Sequence, residues 1–184
     1  MRPSLRLATA TAALLLATGC SLVPNSSSGE RSGGTAGGAV AEGEPGFDDV
    51  GEPITKATFD SLIEPGAKVD IAIMGLRVRG RLATLLTQFT PRIPPGGEDK
   101  PSPYELNGRD GLGTSLIDPV NLKRYVVVKD FRGKELETND ITTRIPNNQT
   151  GNFSFTFAAP PDNVKAVDVQ IGSWPTFRDI PVER

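Results

Sequence analysis

Apolar positions divide this chain into three stretches. Leu7 to Ala17 is an unbroken run of apolar and small residues. From Ser21 to about Ala57 large apolar residues are sparse and follow no period of 2 or 3.6. From about Thr58 onward, short runs rich in Val, Ile, Leu and Phe alternate with Pro, Gly, Asn and Asp. In that third stretch Val69, Ile71 and Ile73 alternate with Lys68, Asp70 and Ala72, the period-two pattern of a half-buried strand. Parity flips at Met74-Gly75, with Leu76 and Val78 on even numbers, which predicts a bulge or turn at Gly75. Leu82 to Phe89 is the next strand, ended by Pro91. Ile93 to Tyr104 is a loop, with five prolines within or just beside it, Pro91, Pro94, Pro95, Pro101 and Pro103. Thr114 to Ile117 leads into Asp118-Pro119, and Leu122 to Lys129 is a strong strand. Asp130-Phe131-Arg132-Gly133 has the form of a type I turn, with Lys134 to Thr138 returning. Phe153, Phe155 and Phe157, then Val167, Val169 and Ile171, then Ile180 and Val182, complete the series. One helical turn is expected, over Thr58 to Ile63. Seven or eight short strands at this spacing predict an all-β fold, a single antiparallel β-sandwich over residues 58–184.

The first stretch reads as an address. Arg2 and Arg6 precede the apolar run, which is too short to span a bilayer permanently but suits an export signal. Ala17-Thr18-Gly19-Cys20 resembles a lipobox, with Ala17 where leucine is commoner. Residues 1–19 are therefore expected to be a lipoprotein signal peptide, and Cys20 the lipidated residue. Attachment through two or more acyl chains is stable, unlike that through one. The second stretch, residues 20–57 with Cys20 at its head, holds too little apolar surface to offset chain entropy. As a flexible Ser/Gly/Pro linker of about 37 residues it would span roughly 30–35 Å.

Composition narrows the chemistry. The chain has no histidine, which removes Ser-His-Asp and Cys-His catalysis and leaves a zinc site without its usual ligands. Its only cysteine is Cys20, so no internal disulfide can form. Loss of Arg2 and Arg6 with the signal leaves 18 basic against 22 acidic residues, a mature net charge of −4. Nucleic acid is not expected as a partner, since a polyanion needs clustered Lys and Arg.

The segment Leu116-Ile117-Asp118-Pro119-Val120-Asn121-Leu122-Lys123-Arg124-Tyr125-Val126-Val127-Val128-Lys129-Asp130 resembles a motif of actinobacterial envelope lipoproteins with immunoglobulin-like domains. Among these are modules that precede peptidoglycan-binding domains of the outer-membrane-protein-A type. The stretches Ala158-Ala159-Pro160-Pro161, Val167 to Gln170 and Pro175 to Val182 are similar to the same set, so the resemblance covers about residues 67–184. It implies an immunoglobulin-like sandwich exported to the envelope and implies no substrate. No peptidoglycan-binding domain follows in this sequence, so anchoring is expected to rest on Cys20. Cysteines often seen after the Asp-Pro-Val strand are missing too: Lys134-Glu135-Leu136 follow Gly133.

Candidate contact residues are few. Arg77, Arg79 and Arg81 share parity and could form a stripe that meets anions; the plainer explanation is a solvated sheet face whose charges blunt edge pairing. Trp174 lies between Ser173 and Pro175, a turn setting that makes it a candidate partner contact; with only 6% aromatic residues, core and rim packing is the plainer explanation. The proline-rich loop 91–103 is a further candidate, because binding residues often sit on loops held by a rigid scaffold. Glu135, Glu137, Asp140 and Asp118 could in principle serve glycoside hydrolysis, but nothing in their spacing predicts one cleft. Asp118, before Pro119, is expected to cap a turn. No catalytic residue, metal site or cofactor is assigned. The expectation is a lipid-anchored extracytoplasmic protein that binds or assists another envelope protein or a wall polymer. A structural envelope component without a discrete ligand is the alternative, and a carbohydrate-active enzyme a distant third.

Overall fold

The structure, a computed structural model, describes residues 51–184; the signal segment, Cys20 and the linker as far as Val50 lie outside the described residues. The strands are β1 (Thr55–Asp60), β2 (Lys68–Arg79), β3 (Leu82–Arg92), β4 (Ser115–Asp118), β5 (Lys123–Val126), β6 (Gly151–Ala158), β7 (Ala166–Gln170) and β8 (Phe177–Pro181). One helical turn, α1 (Pro103–Leu106), lies between β3 and β4. The strands form two four-stranded sheets, ordered β1-β2-β3-β6 and β5-β4-β7-β8, and every ladder is antiparallel. The fold is the all-β antiparallel sandwich that the period-two pattern predicts.

The chain passes between sheets from β3 to β4, from β5 to β6 and from β6 to β7, while β4–β5 and β7–β8 are hairpins within one sheet. That is the A-B-E and C′-C-F-G strand order of an immunoglobulin-type sandwich, with β1 added and a much-reduced D strand. Residues 136–138 stand in the place of D: Thr156 N donates to Leu136 O at 2.9 Å and Thr138 N to Ser154 O at 2.9 Å. Both margins are stitched across the layers. Beyond the reach of β1, β2 pairs in parallel with the final residues, Val78 N to Glu183 O at 2.7 Å and Glu183 N to Leu76 O at 2.9 Å. On the other side the chain leaving β5 steps onto β6, where Val128 N donates to Thr156 O at 2.9 Å. Exposed ladder edge, the usual template for unwanted strand pairing, is thereby shortened.

The bulge expected at Gly75 is present: the β2–β3 register shifts between Ile73 and Gly75. It lets both Ile73 and Leu76 point inward, each fully buried. The core is filled from one sheet by Val69, Ile71, Leu85, Phe89 and the three phenylalanines of β6, and from the other by Leu116, Val167, Val169, Ile171 and Ile180. Size alternates across the ladder, Ala83 facing Phe157 and Leu85 facing Phe155. Phe89 meets Phe153 edge to face at 5.1 Å between centroids, and Phe59 meets Phe177 at 5.7 Å. With no disulfide available, this burial carries the stability, each buried Phe contributing about 2–3 kcal/mol.

Four local expectations are corrected. Thr58 to Ile63 holds no helical turn; its first residues belong to β1, whose inward positions Ala57 and Phe59 are only half-buried. The sandwich therefore begins before residue 58, and its first backbone bond is Ile54 N to Ile73 O at 2.8 Å. β3 runs through Pro91 to Arg92. Proline is tolerated there because its imide faces away from β2, on the side where its carbonyl accepts from Asn148 N at 2.9 Å. The Leu122–Lys129 run is one strand in sequence but two in space: β5 ends at Val126, and Val127 already bridges to Phe157 of the other sheet.

Candidate functional site

One end of the sandwich carries three connections that converge: the β1–β2 loop, the proline-rich loop after β3, and α1 with Gly108 and Arg109. Between them lies a cleft of about 360 Å³ lined by Leu62, Ile63, Glu64, Glu98, Glu105, Gly108 and Arg109. Each wall is fixed by bonds that local sequence explains. Ser102 and Glu105 form a capping box, with Glu105 N donating to Ser102 Oγ at 3.3 Å and Ser102 N to Glu105 Oε2 at 2.9 Å, and Pro103 opens the helix. The β1–β2 loop is strapped to the end of α1, since Leu62 N donates to Leu106 O at 3.0 Å and Ser61 Oγ to the same carbonyl at 2.8 Å. The proline-rich loop is tied to the segment before β6: Ile93 N donates to Asn147 Oδ1 at 2.8 Å, Asn147 Nδ2 to Ile93 O at 3.0 Å, and Ile145 N to Pro101 O at 3.0 Å. These bonds tie the loop at Ile93 and at Pro101.

Electrostatically the cleft is acidic. The Arg144 guanidinium bonds Glu105, and with the capping contacts from Ser102 it holds that carboxyl below its ordinary range. Glu64 Oε1 is shielded from solvent and has no protein partner. Its carboxylate lies so close to Gly97 that a Cβ there would fall 1.8 Å from Oε1 and 2.6 Å from Ile93 Cγ2. Gly108, at φ +77°, passes under Leu62 with only 3.0 Å to spare for a Cβ. Glu64, Glu98 and Glu105 share the lining with Arg109, and Glu105 is already paired with Arg144, so Glu64 and Glu98 carry the unpaired negative charge there.

Trp174 is a core side chain, the plainer of its two explanations, and not an exposed contact. Only 5% of the residue is exposed; Nε1 donates to Asp60 O at 3.0 Å, and the ring leans on Phe89 at 6.2 Å. The turn around it is folded inward by Asn107, itself 2% exposed, whose Oδ1 accepts from Ser173 N at 3.0 Å and Ser173 Oγ at 2.8 Å. Its amide reaches the other way, to Asp110 O at 3.0 Å and Gly111 O at 3.3 Å. Trp174 plugs the core and joins the β7–β8 turn to β1.

The arginine stripe is not continuous. Arg77 and Arg79 lie on β2, but Gly80 turns the chain and Arg81 sits in the β2–β3 hairpin turn. Arg77 is engaged by Glu183 at 2.9 Å. Asp118 is fully buried and accepts from Val120 N at 2.9 Å, Asn121 N at 3.0 Å and Asn121 Nδ2 at 2.7 Å, the turn-capping role expected of it. Burial alone would raise its carboxyl; these bonds hold it below the usual range. Glu135, Glu137 and Asp140 do come together, and none of them lines the cleft. Burial, with the charges of Glu135 and Asp140, pushes Glu137 up to about 7. Among the described residues no set of three or more acidic or cysteine side chains is arranged to hold a metal ion, and no helix is long and apolar enough to cross a membrane.

Comparison of the chain with protein-family models, with curated proteins and with solved structures gives no match. The functional reading therefore stands on the sequence and on this geometry.

Proposed function

We propose that this chain is a membrane-anchored extracytoplasmic lipoprotein whose sandwich serves as a binding or accessory module in the cell envelope. The observation that carries the binding half is the cleft: a concave, acidic site built from loops that a rigid scaffold holds in place. Its chemistry suits an envelope protein or wall polymer that presents ammonium, guanidinium or amide N–H groups. The anchoring half is supported by the Arg2/Arg6 start, the Leu7–Ala17 run and the sole cysteine at the lipobox position. Fractionation and intact mass of wild type and Cys20→Ser test it. The wild type should sediment with membranes and carry the mass of its acyl chains. Cys20→Ser should lose that mass. An unchanged mass and unchanged membrane attachment would overturn the anchor.

A further inference from the structure

The hairpin between β5 and β6 is bonded to β6 at its base, where Val128 N donates to Thr156 O and Thr156 N to Leu136 O, both at 2.9 Å. Beyond that base its ladder is its own: Leu136 N donates to Val128 O at 2.9 Å, Asp130 N to Lys134 O at 2.8 Å, and Gly133 N to Asp130 O at 3.0 Å. Residues 131–136 are all exposed. At the tip Phe131 is 92% exposed, the largest exposure of any large apolar side chain among the described residues. Val126, on the strand feeding the hairpin, and Leu136, on its return arm, are exposed too, at 63% and 39%.

The charges around this tip are sorted by the turn itself. Asp130 Oδ1 is taken up by the backbone, accepting from Arg132 N at 2.8 Å and Lys134 N at 2.9 Å. Glu135 pairs with Lys129 at 3.3 Å. The Arg132 guanidinium lies 5.1 Å from the Phe131 ring centroid, and among the described residues no carboxylate pairs with Arg132 or Lys134. The turn thus holds Asp130 by backbone bonds and Glu135 against Lys129, and the tip presents an aromatic ring beside Arg132, with Lys134 two positions on.

We propose that this hairpin docks on an anionic lipid surface, with Phe131 entering the interface and Arg132 and Lys134 meeting headgroup phosphates. Aromatic rings settle at the boundary between headgroups and acyl chains, and cations beside them are drawn to anionic lipid. One ring and two cations bind weakly alone. The inference rests on the Cys20 anchor for proximity, because tethering a domain to the bilayer raises the effective concentration at which its surface meets lipid.

The test places a fluorophore at the tip of the lipidated mature chain as Phe131→Trp, reconstituted into vesicles with brominated acyl chains. One set is phosphatidylglycerol and phosphatidylcholine in equal parts, the other phosphatidylcholine alone. Buried Trp174, present in every variant, is the internal reference. The expected result is a blue shift and loss of most of the position-131 emission on the anionic vesicles alone, abolished in Arg132→Glu/Lys134→Glu. Flotation of the same samples reads the anchor separately. A chain that floats with no quenching at position 131 overturns the docking alone, and one that does not float overturns both. Equal quenching on phosphatidylcholine would overturn the role of the cations. A blue shift without vesicles that grows with protein concentration would assign the tip to a second copy of the chain.

Discussion

Replacing Trp174 by alanine separates a core plug from a surface contact. The indole is 5% exposed, lies on Phe89 and bonds the Asp60 carbonyl. Truncating a buried Trp costs about 3–5 kcal/mol through lost transfer energy and the cavity left behind. The orphaned carbonyl adds little, because Asp60 lies at the surface and water can replace the indole. For a sandwich of this size the unfolding entropy near the midpoint is about 0.3 kcal/mol per degree, so the loss corresponds to a fall in Tm of roughly 10–18 °C. Trp174→Phe keeps most of the ring and loses the N–H, and should cost only about 1–2 kcal/mol. Thermal unfolding followed by far-ultraviolet circular dichroism is the assay, since Trp174 is the only tryptophan and fluorescence vanishes with it. A Trp174→Ala midpoint within about 3 °C of wild type would refute the plug and return the residue to the surface.

Three further outcomes follow from the same geometry. Asp70, 4% exposed, ties three strands through Thr58 at 2.7 Å, Arg92 at 2.9 Å and Lys56 at 3.5 Å. Burial would raise its carboxyl, but the Thr58 and Arg92 hydrogen bonds, with the charges of Arg92 and Lys56, hold it below the usual range. Asp70→Asn should cost about 1–2 kcal/mol at pH 7, a figure discounted because both cations are half-exposed. That stabilisation is present above the ordinary carboxylate range and is lost as pH falls through the lowered value, so the gap in urea midpoint should close toward pH 3; an equal gap at both pH values would contradict the ion pair. Glu137 has the opposite sign. With its carboxyl pushed up to about 7, the folded protein loses stability as pH rises from about 4.5 to 7. Glu137→Gln should therefore be the more stable protein at pH 8, by about 1–2 kcal/mol, and similar to wild type at pH 4; no gain at pH 8 would rule out the burial. Gly97→Ala should cost about 1–3 kcal/mol by driving a methyl into Glu64 and Ile93, and a neutral result in the same melt would show that the cleft wall yields.

How much of this was legible in the sequence depends on the range of the interaction. The β2 and β6 alternations, the Gly75 bulge and the Asp130–Gly133 turn are set by neighbours in the chain, and all were readable there. β1 was missed because its inward positions, Ala57 and Phe59, are half-buried at a sheet margin and give a weak pattern. Trp174 was correctly placed in a turn, but its direction is decided by Asn107, 67 positions earlier, and by Asp60 in a different strand. The cleft glutamates lie on separate connections and meet only through folding; Ser102-Pro103-Tyr104-Glu105 was a visible capping box that could have marked one wall. Glu135 and Glu137 are two positions apart on an extended segment and so share a face, a signal that spacing did carry; the burial that raises Glu137 comes from docking beside β6 and carried none.

The measurement that bears most directly on the account is photocrosslinking in the native cell envelope from position 62. Leu62 is 63% exposed and lines the cleft, so a photoreactive phenylalanine there leaves all three glutamates in place. Arg178, exposed on β8, is the control position. The account predicts a discrete adduct from position 62, weakened by Glu64→Gln/Glu98→Gln, with none from position 178. No adduct from position 62, or the same adducts from both positions, would contradict the cleft as a binding site and favour a structural component of the envelope.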